Sequence, residues 1–261
     1  MEIPKIIRDL IDEKLIISDS IGMSDASVYL LDDMVLKIQE QCSESTNEYI
    51  MMRWLQNTLP VPKIIEHKLS NKLSYLLMSK CTGEMACSER YMRNPKKQAE
   101  LLAEALHKIW CVDITTCPSD SSLAQKLQQA TYNVSNDLVD IQNCEPETFS
   151  LGGFKDPEAL LHWLIDNKPS EELCLSHGDF CLPNIFFNDT ELVGLIDLGR
   201  SGVADKWCDI ALCYRSLKDN YCGKYSGSKP QEYKVAYFFD ALQIKPEWDK
   251  IRYYILLDEL F

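Results

Sequence analysis

Ser176-His177-Gly178-Asp179-Phe180-Cys181-Leu182-Pro183-Asn184, followed thirteen residues after its last position by Asp197 in Leu195-Ile196-Asp197-Leu198-Gly199, decides the reading of this chain. An aspartate, an asparagine five residues on and a second aspartate after a short hairpin are the groups that phosphoryl transfer from a nucleotide requires. In that chemistry the first carboxylate takes the proton of the attacking hydroxyl. The amide and the second carboxylate hold Mg²⁺ against the phosphates. Asp179 is therefore read as the catalytic residue and Asn184 and Asp197 as the metal pair, with Asp197 at the end of an apolar strand over 192–196. His-Gly-Asp alone would be weak; the full set with apolar strands on both sides is specific.

Working outward, the first seventy-odd residues read mainly as strands with one helix. Runs at 27–31 and 34–38 are separated by Asp32-Asp33, a hairpin turn. A helix over 45–55 ends before Pro60 and Pro62, and extended segments follow at 63–67 and 73–78. Lys37 lies inside an apolar strand. It either points outward from a sheet edge or needs an acid, and Glu48 on the following helix is the candidate. Such a pair would hold the lysine toward the α- and β-phosphates of a nucleotide. Gly22-Met23-Ser24 is a short turn whose N–H groups and Ser24 hydroxyl suit a phosphate, but one glycine does not make a glycine-rich loop.

After a polar exit at 79–83 the pattern turns helical, with helices over 99–110, 121–141, 156–167, 205–217, 231–242 and from 246 to the end. Asp156-Pro157-Glu158 is a helix start: a capping side chain, a proline at the first helical position and an early acid. The architecture expected is α+β and two-lobed, with a β-rich nucleotide-binding lobe over 1–80 and a helical catalytic and substrate-binding lobe over 81–261. His177 is read as a brace for the loop, and Asp209, inside an apolar run, as a structural hydrogen-bonding carboxylate.

The formal charge of −13 over 261 residues argues against nucleic acid and anionic membrane as partners and favours a cationic one. Glu145, Glu147, Asp219, Asp258, Glu259 and the terminal carboxylate of Phe261 either spread as a solvated face or converge as a pocket for a polycation. Eleven scattered cysteines without a Cys-x-x-Cys pair fit buried thiols in a reducing compartment. The N-terminus lacks a signal-peptide pattern and no apolar run approaches a membrane span, so a cytoplasmic location is expected.

With those residues in view, the chain resembles the aminoglycoside 3′-phosphotransferases, which have a eukaryotic-protein-kinase-like fold. The resemblance runs through Leu59-Pro60-Val61-Pro62-Lys63, Tyr75-Leu76-Leu77-Met78, the loop from His177 to Phe186, and Gly194 to Trp207. It ends at Leu256-Leu257-Asp258-Glu259-Leu260-Phe261. It implies transfer of the γ-phosphate of ATP, with Mg²⁺, to the 3′-hydroxyl of a kanamycin- or neomycin-like aminoglycoside. It also implies Lys37 and Glu48 as the nucleotide pair, Ser24 in the phosphate loop, and main-chain groups from Met78 to Lys80 at the adenine edge. Arg200, Asp219, Glu259 and the Phe261 carboxylate match positions lining the family's drug site. The alternative on the same fold is a kinase of another small metabolite, an amino alcohol or a sugar.

Overall fold

The structure, a computed structural model, describes residues 3–11, 17–18, 26–225 and 232–261. In chain order its elements are α1 (Lys5–Ile11), β1 (Ile17–Ser18), β2 (Ser27–Leu30), β3 (Met34–Glu40), α2 (Ser43–Leu55), β4 (Ile64–Ser70), β5 (Leu73–Ser79) and β6 (Glu84–Met85). There follow α3 (Glu89–Met92), α4 (Pro95–Trp110), α5 (Leu123–Ser135), α6 (Pro157–Asp166), β7 (Leu173–Ser176), β8 (Ile185–Asn188), β9 (Glu191–Leu195) and β10 (Gly202–Asp205). Three helices close the chain: α7 (Lys206–Cys222), α8 (Ala236–Leu242) and α9 (Trp248–Asp258). The contacts divide the chain into two units, Met1–Ala86 with Pro183–Ser201, and Cys87–Leu182 with Gly202–Phe261.

The first unit carries an antiparallel sheet of order β1-β2-β3-β5-β4 and a smaller one of order β6-β8-β9. The hairpin joining β2 and β3 turns where expected, at Asp32-Asp33, and Leu31 N–H donates to Met34 O at 2.9 Å to close it. Side chains alternate along β3. Met34, Leu36 and Ile38 enter a buried cluster with Leu31, Tyr75 and Leu77, and with Ile7 and Ile11 of α1. This helix is an addition to the expected single helix of the region. Ile7 and Ile11, four apart, make one buried face, while the adjacent Ile6 and Leu10 stay exposed. The same alternation turns Val35, Lys37 and Gln39 to the opposite face.

The start of α2 is fixed by reciprocal caps. Ser45 N–H donates to the Cys42 thiol at 3.4 Å, and Cys42 N–H donates to Ser45 Oγ at 2.9 Å. Its buried face is Ser45, Glu48, Met51, Met52 and Leu55. Glu48 is thus the one carboxylate on a buried, mainly apolar stripe, a placement that needs a cation.

The second unit is helical around the antiparallel pair β7–β10. α6 starts as its sequence predicts, with the Asp156 carboxylate accepting Ala159 N–H at 2.8 Å. The expected helix over 121–141 stops at Ser135, because Asn136 leaves helical geometry and Asp137 sits at φ 54°. The expected helix from 231 begins instead at Ala236. All eleven cysteines are free thiols; only Cys208 and Cys213 are buried, and Cys42, Cys111 and Cys222 are exposed, so the expectation of generally buried thiols is corrected. Among the described residues no helix is long and apolar enough to cross a membrane.

Candidate active site

In the first unit the expected pair forms and acquires a third member. Lys37 Nζ donates to both Glu48 oxygens, at 3.1 and 2.9 Å, and to Asp197 Oδ1 at 3.0 Å. Gln39, on the same face of β3, adds a bond from Nε2 to Glu48 Oε2 at 3.2 Å. Burial disfavours the ammonium, but the carboxylates of Glu48 and Asp197 outweigh it and hold the lysine pKa above its ordinary value. Lys37 is therefore a fixed cation at neutral pH, aimed by two anions.

Asp197 is delivered by a segment clipped onto α2. Asn47 Nδ2 donates to the carbonyls of Gly199 at 2.9 Å and Ser201 at 2.8 Å, and Arg200 Nε donates to Glu44 Oε1 at 3.0 Å. Gly199 passes so close to the helix that a Cβ there would lie 3.2 Å from Glu44 O. Asp197 itself takes φ 60°, a left-handed turn that a short polar side chain tolerates. The strand beside it brings in the asparagine: Ile196 N–H donates to Asn184 O at 3.1 Å, just before β8 begins.

The amide and carboxylate of Asn184 and Asp197 are hard oxygen donors, and among the described residues no group of three or more His, Cys, Asp or Glu could hold a metal unaided. Two oxygen side chains with the remaining positions left to phosphate and water is the donor set suited to Mg²⁺. The residues present fit that ion.

At the end of β5, Ser79 N–H donates to Lys63 O and Lys80 N–H to Asp33 O, both at 2.9 Å. Two of the main-chain donors in the expected adenine-facing stretch are thus already engaged, and the next is that of Cys81. Met78 is buried between its partners Val35 and Ile64. Ser24 lies outside the described residues.

In the second unit the loop carrying Asp179 is wound around a buried carboxylate. Asp209 accepts Ser176 Oγ–H at 2.9 Å, His177 N–H at 3.0 Å and Gly178 N–H at 3.0 Å. Gly178 takes φ 84°, where a side chain would be strained. Burial pushes the Asp209 pKa up, while these donors and the neighbouring imidazole pull the other way. Asp179 N–H in turn donates to His177 Nδ1 at 3.3 Å, so both residues brace the loop as expected. Asp205 is structural too, capping α7 at Trp207 N–H and accepting Tyr254 Oη–H at 2.8 Å.

The acidic residues of this unit converge, with one exception. Glu259 Oε2 accepts Glu145 N–H at 3.0 Å, and Arg215 pairs with Asp258 and, through Nη1, with Glu259 Oε1 at 3.9 Å. Lys224 Nζ bridges Glu145 Oε1 at 2.8 Å and Asp219 Oδ2 at 2.9 Å. The chain end is tied down where Asn133 Nδ2 donates to Leu260 O at 2.8 Å, next to Phe261. The exception is Glu147, which is exposed. Arg200 belongs to the first unit, with Glu44, whereas Asp219, Glu259 and Phe261 belong to the second. Nothing in the sequence singles out Asn47, Arg215 or Lys224; each finds its partner by tertiary packing, and a lone polar residue on or just past a helix carries no mark of it.

Residues 17–254 match the family described as the phosphotransferase enzyme family. An aminoglycoside 3′-phosphotransferase of Enterococcus faecalis is 42% identical, across all of this chain and 99% of its own length. The crystal structure of a type VIII aminoglycoside-3′-phosphotransferase is similar with a TM-score of 0.82 and 26% identity, covering 98% of this chain and 97% of that one. An aminoglycoside phosphotransferase from Streptomyces rimosus, solved in complex with ADP and streptomycin, shares the fold at a TM-score of 0.77, with 21% identity over 97% of this chain and 95% of its own.

Proposed function

The chain belongs to the phosphotransferase enzyme family, and we propose that it moves the γ-phosphate of ATP to the 3′-hydroxyl of kanamycin- and neomycin-type aminoglycosides. The observation that carries the kinase reading is the three-way contact of Lys37 with Glu48 and Asp197. It gives one cation for phosphate oxygens, pre-set in a buried place, and beside it one carboxylate for a metal that stays open to water. The full-length likeness to relatives named for 3′-transfer supports the choice of hydroxyl.

In this reading Lys37 binds the α- and β-phosphates, and the main-chain donor at Cys81 meets the adenine edge. Asn184 and Asp197 would hold Mg²⁺, which when bound neutralises charge on the phosphates. Asp179 accepts the proton of the 3′-hydroxyl as the new oxygen–phosphorus bond forms. The bond from the γ-phosphorus to the β–γ bridging oxygen breaks in line, and ADP leaves with that electron pair. Positioning and charge supply the rate, since the protein forms no covalent bond to the phosphoryl group. The Glu145, Asp219, Asp258 and Glu259 set suits a polyamino sugar, for which a neutral-sugar kinase would have no use.

The test is an ATP- and Mg²⁺-dependent transfer assay with kanamycin and with tobramycin, a close analogue that lacks the 3′-hydroxyl. Turnover of kanamycin with little of tobramycin is the expected result. Equal turnover of both would refute 3′-transfer, and turnover of neither with ATP still bound would favour the metabolite kinase.

A further inference from the structure

The carboxylates offered to a polycationic substrate are not left open. Lys224 stands one residue beyond Gly223, the left-handed cap (φ 85°) that ends α7, and its ammonium rests between Glu145 and Asp219. The contact has the chemistry of the proposed substrate. Lysine Nζ and an aminoglycoside amine are both alkylammonium groups with three donors and one positive charge. Exchanging one for the other leaves the carboxylates charged and hydrogen-bonded.

Burial separates Lys224 from the other cation of this set. The Arg215 side chain is 19% exposed and paired with Asp258 and Glu259, whereas the Lys224 side chain is 43% exposed. Although Asp219 is itself only 5% exposed, the half-exposed lysine sits on a flexible stem and has water to retreat into. Arg215 has neither freedom, so an incoming amine displaces the lysine and leaves the arginine in place. The Glu145 main chain is fixed independently, by its N–H bond to Glu259, so the carboxylate stays positioned when Lys224 leaves.

We propose that Lys224 is a tethered stand-in for a substrate ammonium, occupying the Glu145–Asp219 place in the free enzyme and being displaced by an amine of the aminoglycoside. The proposal rests on the functional reading above. Lys224 is then a specificity-determining residue: it keeps the acidic pocket neutralised, and only a ligand that brings its own ammonium there recovers the pairing.

The experiment compares Lys224→Met with Lys218→Met, which removes the same charge from an exposed position of α7. Removing a competitor whose own side chain is half-exposed lowers the kanamycin KM about two- to five-fold in Lys224→Met. Lys218→Met moves it less than half as far, and the ATP KM stays put in both. In the wild-type protein, acylation of Lys224 relative to Lys218, read by peptide mass spectrometry, rises when kanamycin is added, which keeps the test valid if a variant folds poorly. A KM unchanged or raised in Lys224→Met, an equal fall in Lys218→Met, or a labelling ratio that drops with kanamycin each overturns the proposal. Wild-type protein that phosphorylates no aminoglycoside would overturn the functional reading and this one with it, whereas turnover with an unmoved KM overturns this inference alone.

Discussion

Replacing Lys37 by methionine isolates what the buried ion pair does. Glu48 is 2% exposed, and without the ammonium its remaining donor is Gln39 Nε2 at 3.2 Å. A buried carboxylate stripped of its partner costs about 3–5 kcal/mol, and Glu48 can lower that toward the bottom of the range by taking up a proton. With about 3 kcal/mol lost, a chain of this length should melt about 6–12 °C lower. Asp197 adds little to this cost, since its side chain is 43% exposed and water can replace the lysine there. The double variant Lys37→Met, Glu48→Leu exchanges the pair for apolar groups of similar volume and should recover most of the loss. Its phosphotransfer should stay down about 10²–10³-fold, as for loss of one pre-set electrostatic group.

The pH dependence follows with a definite sign. The folded pKa of Lys37 is raised above its unfolded value of about 10.4, so its stabilisation is fully present below that pH. It is lost as pH rises above that value and through the folded pKa. Urea unfolding at stepped alkaline pH should show this loss in wild type and its absence in Lys37→Met. A single variant as stable as wild type, or a double variant no more stable than the single, would refute the energetic reasoning.

Two further substitutions separate base from positioning. Asp179→Asn should keep the melting temperature and lower kcat about 10²–10⁴-fold, the range for losing a general base; a kcat within tenfold of wild type would remove Asp179 from that role. Asn47→Ala deletes the two bonds to the Gly199 and Ser201 carbonyls, at about 1 kcal/mol each, and loosens the segment that carries Asp197. The KM for MgATP should rise while that for kanamycin holds, and an unchanged MgATP KM would show that Asn47 does not position Asp197.

What could be read from sequence was whatever is written locally. The Asp32-Asp33 hairpin, the Asp156-Pro157 helix start and the motif from His177 to Asn184 each sit within a few residues of chain. Period-based extension failed where a backbone conformation outvoted it: Leu138 and Ile141 continue the apolar spacing of α5, yet lie 57% and 51% exposed past the turn at Asp137. The single glycine near Ser24 gave little to read. Partners far apart in sequence were legible only where burial demanded one. Lys37 in an apolar strand asked for an acid, and Glu48 answered. Nothing about Asn47 asked for carbonyls 152 and 154 residues away.

Both units use one device, a lysine held between two carboxylates, and burial decides what each becomes. Around Lys37 the side chains of the lysine and of Glu48 are 10% and 2% exposed, so little water competes and salt screens weakly. That ammonium stays where the proposed transfer needs it for a phosphate. Around Lys224 the lysine is 43% exposed while its partners Glu145 and Asp219 are 21% and 5% exposed, so the carboxylates stay set but the ammonium reaches water and is the more screened and exchangeable of the two. The first is suited to positioning, because a cation that moved would have to be reorganised at the moment of transfer. The second is suited to recognition, because only a weakly held cation can give way to another. Raising ionic strength should therefore weaken capture of a polycationic drug well before it disturbs the lysine set for the nucleotide.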